Sequence, residues 1–129
     1  MAAQASSREN RRERRQRAYR RGRRGEFWAM LLLRLKGYRI LARDFRVPMG
    51  EVDLIAWRRG VLAFVEVKSR DSADSAIEAV TPYQSQRIAR AAAAFVGRHP
   101  RYQTDVLRFD VIVVAPRRWP QHLINAWSA

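Results

Sequence analysis

From Phe27 to Leu33 the chain is apolar without interruption, with Glu26 just before the run and Arg34, Lys36 and Gly37 just after it. That order predicts a helix over GEFWAMLLLRLKG. An acid in the first turn meets the positive end of the helix dipole, and a glycine past the end can take the left-handed cap. The next stretch, YRILARDFRV, changes period. Tyr38, Ile40 and Ala42 fall on one side and Arg39, Leu41 and Arg43 on the other, which predicts a strand. Pro48 to Gly50 turns the chain, and GEVDLIAW and LAFVEVK on either side of RRG predict two further strands. SRDSADSAIEA, residues 69–79, reads as a polar loop free to move. Thr81 then opens a helix as N-cap, with Pro82 at the first helical position and Ile88, Ala91, Ala92, Phe95 and Val96 on one buried face. VLRFDVIVVA ends in a β-branched run expected of a strand covered on both faces. The tail PQHLINAWSA is ambiguous between an edge strand and a last helical turn. The order is α, β, β, β, α, β, without internal repeats.

Composition narrows the class. A chain of 129 residues supports one domain with a modest core. Its net charge of +14 rests on 24 arginines and only two lysines, Lys36 and Lys68. Such an excess suits a polyanionic partner, because each neutralised phosphate releases condensed counterions; a solubilising surface is the plain alternative. Residues 1–24 hold ten of the arginines against two glutamates, and RRERRQRAYRRGRR has only Ala18 and Tyr19 as apolar side chains. It cannot bury enough surface to offset the entropy of ordering. The expectation is a disordered arm over 1–24, followed by a single domain over 25–129. In that arm Arg11, Arg12, Arg14, Arg15, Arg20, Arg21, Arg23 and Arg24 are candidates for nucleic-acid contact, against the alternative of a solvated tail with no specific role.

Cysteine is absent, which excludes disulfides, zinc–thiolate sites and cysteine nucleophiles together and fits the cytoplasm. The longest apolar run has seven residues where a membrane-spanning helix needs about 20, so no membrane partner is expected. The N-terminus lacks the apolar core of a secretory signal, and Glu9 and Glu13 are unlike an acid-poor presequence.

The chemistry concentrates in the hairpin of residues 50–68. Alternation puts Glu51, Asp53, Ile55 and Trp57 on one side of the first strand, and Phe64, Glu66 and Lys68 on one side of the second. With a two-residue loop at Arg59 and Gly60, or a four-residue loop centred there, Asp53 faces Glu66 and Glu51 faces Lys68; a three-residue loop would break that pairing. Facing carboxylates repel by up to roughly 1 kcal/mol on a sheet, a penalty that a divalent cation removes. Mg²⁺ prefers oxygen ligands and takes one or two carboxylates together with phosphate oxygens. Lys68 would lie beside the attacking water, to orient it or to stabilise developing charge. An E-x-K strand is also commonly a solvated face with an ion pair, and the residues alone leave both readings open.

Asp53, then Glu66-Val67-Lys68, resembles the D-x(n)-E-x-K signature of the restriction-endonuclease-like nucleases. A longer match runs through GRRGE, KGYRILARDFR, GEVDLIA, FVEVKSR, VTPYQSQRI, RFDVIVV and INAW. These blocks, in this order over about a hundred residues, resemble the bacterial YraN-type family, an uncharacterised group similar to archaeal Holliday-junction resolvases. The resemblance implies an α/β fold with a restriction-endonuclease-like αβββαβ core, its central mixed sheet flanked by helices. It implies that Asp53 and Glu66 bind Mg²⁺ or Mn²⁺, that Lys68 assists the water, and that Glu26 approaches the metal as a further catalytic acid. For Glu26 a favourable place in the first helical turn is the competing explanation. Glu51 would pair with Lys68 or support the site from behind, and Asp110 looks structural, a holder of Arg108 or another arginine. Tyr83 and Gln84 stand where the family commonly has a basic residue. Gln84 also completes a Thr81-x-x-Gln84 capping box. Asp44 stands where an asparagine is frequent, and both departures are expected at the periphery of the acid-acid-lysine set.

Two functions follow. One is a metal-dependent endonuclease acting on DNA, branched or damaged structures included, with DNA favoured over RNA; branched DNA would suit a homodimer with two sites. The other is a non-catalytic module that binds nucleic acid or protein on a nuclease-like fold. His99 and His122 lack metal-ligand spacing and are expected on loops or the surface. No G-x-S-x-G elbow or Walker loop occurs. Trp28, Trp57, Trp119 and Trp127 could stack on bases, although in so small a domain tryptophans more often serve the core, and stacking suits the two late ones best.

Overall fold

The computed structural model describes residues 25–128, and the arginines of the expected arm, Arg11 to Arg24, lie outside the described residues. Helix α1 covers residues 25–35. It ends as its sequence requires: Gly37 takes φ +88°, its amide bonds the Arg34 carbonyl at 3.0 Å, and the Tyr38 amide bonds the Leu33 carbonyl at 2.9 Å. Those two bonds satisfy carbonyls that the last turn would otherwise leave open.

Strands β1 (Arg39–Val47), β2 (Gly50–Arg58) and β3 (Val61–Ser69) form an antiparallel meander. Helices α2 (Ala73–Glu78) and α3 (Pro82–Arg98) lead to β4 (Val106–Val114), parallel to β3, and β5 (Gln121–Leu123) pairs antiparallel at the far edge. The sheet is therefore five-stranded and mixed, in the order β1-β2-β3-β4-β5. Helices flank it on both sides. Ala29, Met30 and Leu33 of α1 pack with Leu54, Ala56, Ala63, Val65 and Ile112; Ile88, Ala91, Ala92 and Phe95 of α3 pack with Val52, Ile55, Leu62 and Phe64. Strand β3 is paired on both edges and covered on both faces. This is why Leu62 to Val65 form an unbroken buried run. The architecture is the α/β arrangement expected, consistent with a restriction-endonuclease-like core. Among the described residues no helix is long and apolar enough to cross a membrane.

Two local expectations change. Residues 69–79 are not wholly loop: Ser72 caps α2 by accepting from the Ser75 amide at 3.1 Å, and Ala76 is fully buried beside Val111 and Val113. Six residues are too few for periodicity to reveal them. The ambiguous tail resolves as the edge strand β5, and this buries His122, which was expected on a loop or the surface.

The reason is Asp110. Its side chain is fully buried and accepts from Arg108 Nε at 2.9 Å, His122 Nε2 at 2.8 Å and the Asn125 amide at 2.9 Å. Lys36 Nζ lies 2.6 Å from His122 Nδ1, and Arg108 also donates to the Tyr38 hydroxyl. Asn125 sits at φ +55°, a conformation asparagine tolerates well. One carboxylate thus ties α1's end, β4, β5 and the C-terminal segment together. Burial alone would raise its pKa, but the bonds from His122, Arg108 and Asn125 outweigh burial and hold it below the usual carboxylate value.

Asp110→Ala leaves Arg108 buried without its partner and should cost about 3–5 kcal/mol in urea unfolding. The folded pKa is depressed, so Asp110 stabilises the fold above its ordinary value near 3.8 and loses that contribution as pH falls below it. Acid titration of the wild type against Asp110→Ala should show the difference shrinking below that pH.

Candidate metal centre

The β2–β3 hairpin closes through Arg59 at φ +48° and Gly60 at φ +78°, the two positive dihedrals of a type I′ two-residue turn. The ladder runs from Arg58 opposite Val61 to Leu54 opposite Val65, so the next step sets Asp53 across from Glu66. There the backbone pairing stops. Asp53 Oδ2 accepts the Val67 amide at 2.8 Å, a carboxylate standing where a carbonyl of β2 would.

The neighbouring strand breaks at the same level. In β1 the pairs Arg43–Leu54 and Phe45–Val52 flank Asp44 and Asp53, which places those two acids side by side. Asp44 takes φ +47°, and Ala42 and Phe45, three residues apart, both pack toward α3. Strand alternation would put them on opposite faces, so the chain flips between them. Val52 and Ile55 behave alike in β2. The double flip turns both carboxylates toward the first turn of α1, where Glu26 completes the group. One oxygen each from Glu26, Asp44 and Asp53 lies within 4.8 Å of the other two.

Glu66 extends the group on the side of α3. It is 7% exposed and within hydrogen-bonding reach of Asp53. Lys68 Nζ lies 3.6 Å from Glu66 Oε2 and donates to Gln84 Oε1 at 3.2 Å, while Gln84 Nε2 reaches Glu66 Oε2 at 3.5 Å. Close to these residues Gly50 is required by space. A Cβ there would run into the backbone of α3 at the Arg87 carbonyl, so glycine lets α3 lie against β2 and bring Gln84 to the acids.

The carboxyls are not balanced by donors. Burial, then the nearby Asp53 charge, pushes Glu66 up to about 8, only partly countered by Lys68. Burial, then Asp44, pushes Glu26 up to about 7. Burial also raises Asp53, despite the Val67 amide. These acids share protons, because adjacent like charges in a low-dielectric setting cannot all ionise. The donor set is all carboxylate oxygen, which suits Mg²⁺ or Mn²⁺ rather than zinc. Oxygens on opposite sides of one Mg²⁺ lie about 4.2 Å apart, twice the usual ~2.1 Å bond, so a spread of at most 4.8 Å closes with small side-chain shifts. Glu26, Asp44 and Asp53 therefore fit a hard divalent cation, and Glu66 stands beside them against Asp53.

The structure brings Glu26, Asp53, Glu66, Lys68 and Gln84 together and leaves Glu51 aside. Glu51 is half-exposed and 3.6 Å from Arg46 Nε, because the break at Asp53 ends the register that would have carried it to Lys68. Gln84 does take part in the cap, its backbone amide donating to Thr81 Oγ1 at 3.1 Å, but its side chain turns to Lys68 and Glu66, away from Thr81. Asp44, expected at the periphery, is central. Its signal was present in the Pro48–Met49 turn: counting back from Val47 opposite Gly50 puts Asp44 across from Asp53.

In metal-free buffer the domain should lose stability as pH rises from about 4.5 through about 8. The folded state keeps protons on Glu66, up to about 8, and on Glu26, up to about 7, that the unfolded chain has released; buried Glu66 costs up to ~1.4 kcal/mol per pH unit across its window, and Glu26, more open to solvent, costs less because water screens it. Saturating Mn²⁺ should raise Tm more at pH 8 than at pH 5. A flat Tm–pH profile that ignores metal would show that the acids do not form a coupled cation site.

Residues 25–114 match the model of a family described as "Uncharacterised protein family UPF0102". Proteins carrying that family name align over most of the domain. One from Parvibaculum lavamentivorans is 53% identical over 102 residues, covering 79% of this chain and 77% of its own. One from Nitrobacter winogradskyi is 54% identical over 101 residues, covering 78% and 86%. A third, from Bradyrhizobium sp. (strain ORS 278), is 57% identical over 101 residues, covering 78% and 72%. The matched span begins one residue before Glu26 and covers the positions of every acid of the cluster. The chain belongs to UPF0102, the YraN-type family.

Proposed function

We propose that the protein is a divalent-metal-dependent endonuclease that hydrolyses phosphodiester bonds in DNA, branched or damaged DNA included. The observation that carries this reading is the convergence of four carboxylates and one lysine at a break in the sheet, on a strongly basic chain. Glu26, Asp44 and Asp53, with Glu66 beside Asp53, would hold a Mg²⁺ or Mn²⁺, which when bound would supply Lewis-acid polarisation of the scissile phosphate.

The chain's own residues do the rest. Glu26 from α1 and Asp44, Asp53 and Glu66 from three successive strands set the geometry of the oxygen donors, held by the Asp53–Val67 bond and the packed sheet behind them. Gln84 Oε1 fixes Lys68 Nζ beside Glu66. An ammonium has three donors, so beside its bonds to Gln84 and Glu66 Lys68 keeps one N–H to orient a water or to stabilise charge that develops on the phosphate oxygens. Arginines outside the acid cluster neutralise the flanking phosphates of the strand.

Asp53→Asn and Glu66→Gln should each lower cleavage of a four-way junction by at least ~100-fold in Mn²⁺, and Lys68→Ala by a similar ~100- to 1000-fold. Gel assays on junction and linear duplex, with circular dichroism to confirm folding, check this. Wild-type protein that binds DNA but cleaves nothing in Mg²⁺ or Mn²⁺, with Asp53→Asn binding equally well, would instead make the fold a non-catalytic binding module.

A further inference from the structure

On the β3–β4 side of α1 the molecule carries a second feature that the acidic centre does not use. A cleft of about 950 Å³ is lined by Trp28 of α1, Arg70 and Asp71 after β3, and Arg117, Arg118 and Trp119 from the segment that joins β4 to β5. Trp119 is 67% exposed, and it packs edge to face with Trp28, itself 44% exposed, at 6.2 Å between centroids. Two partly uncovered indoles held edge to face place exposed aromatic surface at the cleft. Apolar surface of this kind, clustered and not scattered, marks an interaction site. Its surroundings are cationic: three arginines and one aspartate among the named residues. The loop is also stiffened, because Pro116 and Pro120 bracket Arg117-Arg118-Trp119 and fix φ at two positions.

We propose that this cleft holds an unpaired polynucleotide strand, with a base stacked on Trp119 and its phosphates on Arg70, Arg117 and Arg118. An exposed indole between guanidinium groups matches such a strand in both of its parts, since every base offers a π face and every linkage a negative charge. Duplex DNA does not fit as well, because its bases are already stacked. The cleft adjoins the acidic centre through the backbone. Gly25 and Ser69 line it, and they are the neighbours in sequence of Glu26 and Lys68. A strand whose phosphate lies at the acids therefore runs past the first turn of α1 into the cleft, and the site prefers DNA with a single-stranded arm, gap or flap. This rests on the nuclease reading for the strand's identity, while binding in the cleft is measured independently of cleavage.

The test uses the full chain carrying Asp53→Asn, so that no probe is cut. Affinities for labelled oligothymidylate, oligouridylate and blunt duplex are taken from fluorescence anisotropy, with quenching of tryptophan emission as a second readout. Adding Trp119→Ala should weaken oligothymidylate by about tenfold or more and leave blunt duplex within about twofold, while Trp119→Phe retains most of the affinity. Arg117→Ala and Arg118→Ala should each lower the salt slope for the single strand by about 0.7. Equal dependence on Trp119 for both oligonucleotides means that the cleft takes either polymer, and dependence for oligothymidylate alone identifies DNA. Trp119→Ala that binds both single strands as tightly as its parent overturns the proposal. The two readings fail separately. No cleavage by the chain with Asp53 intact, beside Trp119-dependent binding, removes the nuclease and keeps the cleft; cleavage beside Trp119-independent binding does the reverse.

Discussion

One hydrogen bond organises the acidic end of the sheet. The Val67 amide, toward the C-terminal end of the central strand, donates to Asp53 Oδ2 and not to a backbone carbonyl of β2. A carboxylate in that place satisfies the donor, but it parts the two strands and holds Asp53 among Glu26, Asp44 and Glu66. Strand β1 follows with the left-handed turn at Asp44, directly beside. Without the break the hairpin would continue as an ordinary ladder and its acids would spread along one face. With it, side chains from α1 and from three strands meet at one point, and α3 supplies Gln84 because Gly50 lets it come close.

The two sets of buried acids show how charge is used differently within one small domain. Asp110 is surrounded by donors, and its carboxyl is held below the usual value. It stabilises the junction of β4, β5 and the C-terminal segment and needs nothing further. Glu66, Asp53 and Glu26 are pushed upward, since burial and one another's charge exceed what Lys68, Gln84 and the Val67 amide return. A cluster held in that condition costs stability that a structural role would not require. Hard cations bind such oxygen-rich, under-neutralised groups, which is the physical ground for reading the cluster as a metal centre.

Much of the fold was legible because local rules acted alone. Gly37 caps α1 for the reason its position suggested, Thr81 and Pro82 open α3, and the apolar face from Ile88 to Phe95 packs on the sheet. Arg59-Gly60 closes the hairpin as a two-residue turn, and from that turn the facing of Asp53 and Glu66 could be counted. Helix α2 escaped because a capping serine and one buried alanine are too little pattern for six residues. His122 looked isolated because its partners, Lys36 and Asp110, lie 86 and 12 residues away along the chain.

The sequence by itself determined the elements other than α2 and β5, their αβββαβ order, the basic character and the acid-acid-lysine set of the hairpin. These depend on residues close together in the chain, where propensity, capping and period decide. Only the tertiary structure decided that Asp44 joins the acids, that Glu51 turns to Arg46, that Gln84 leaves its cap to hold Lys68, and that Trp28 and Trp119 meet over a cationic cleft. Each of these follows from a strand that flips once or from helices laid across the sheet. A single residue of irregularity reverses which way a side chain points, and no pattern along the chain records where that happens.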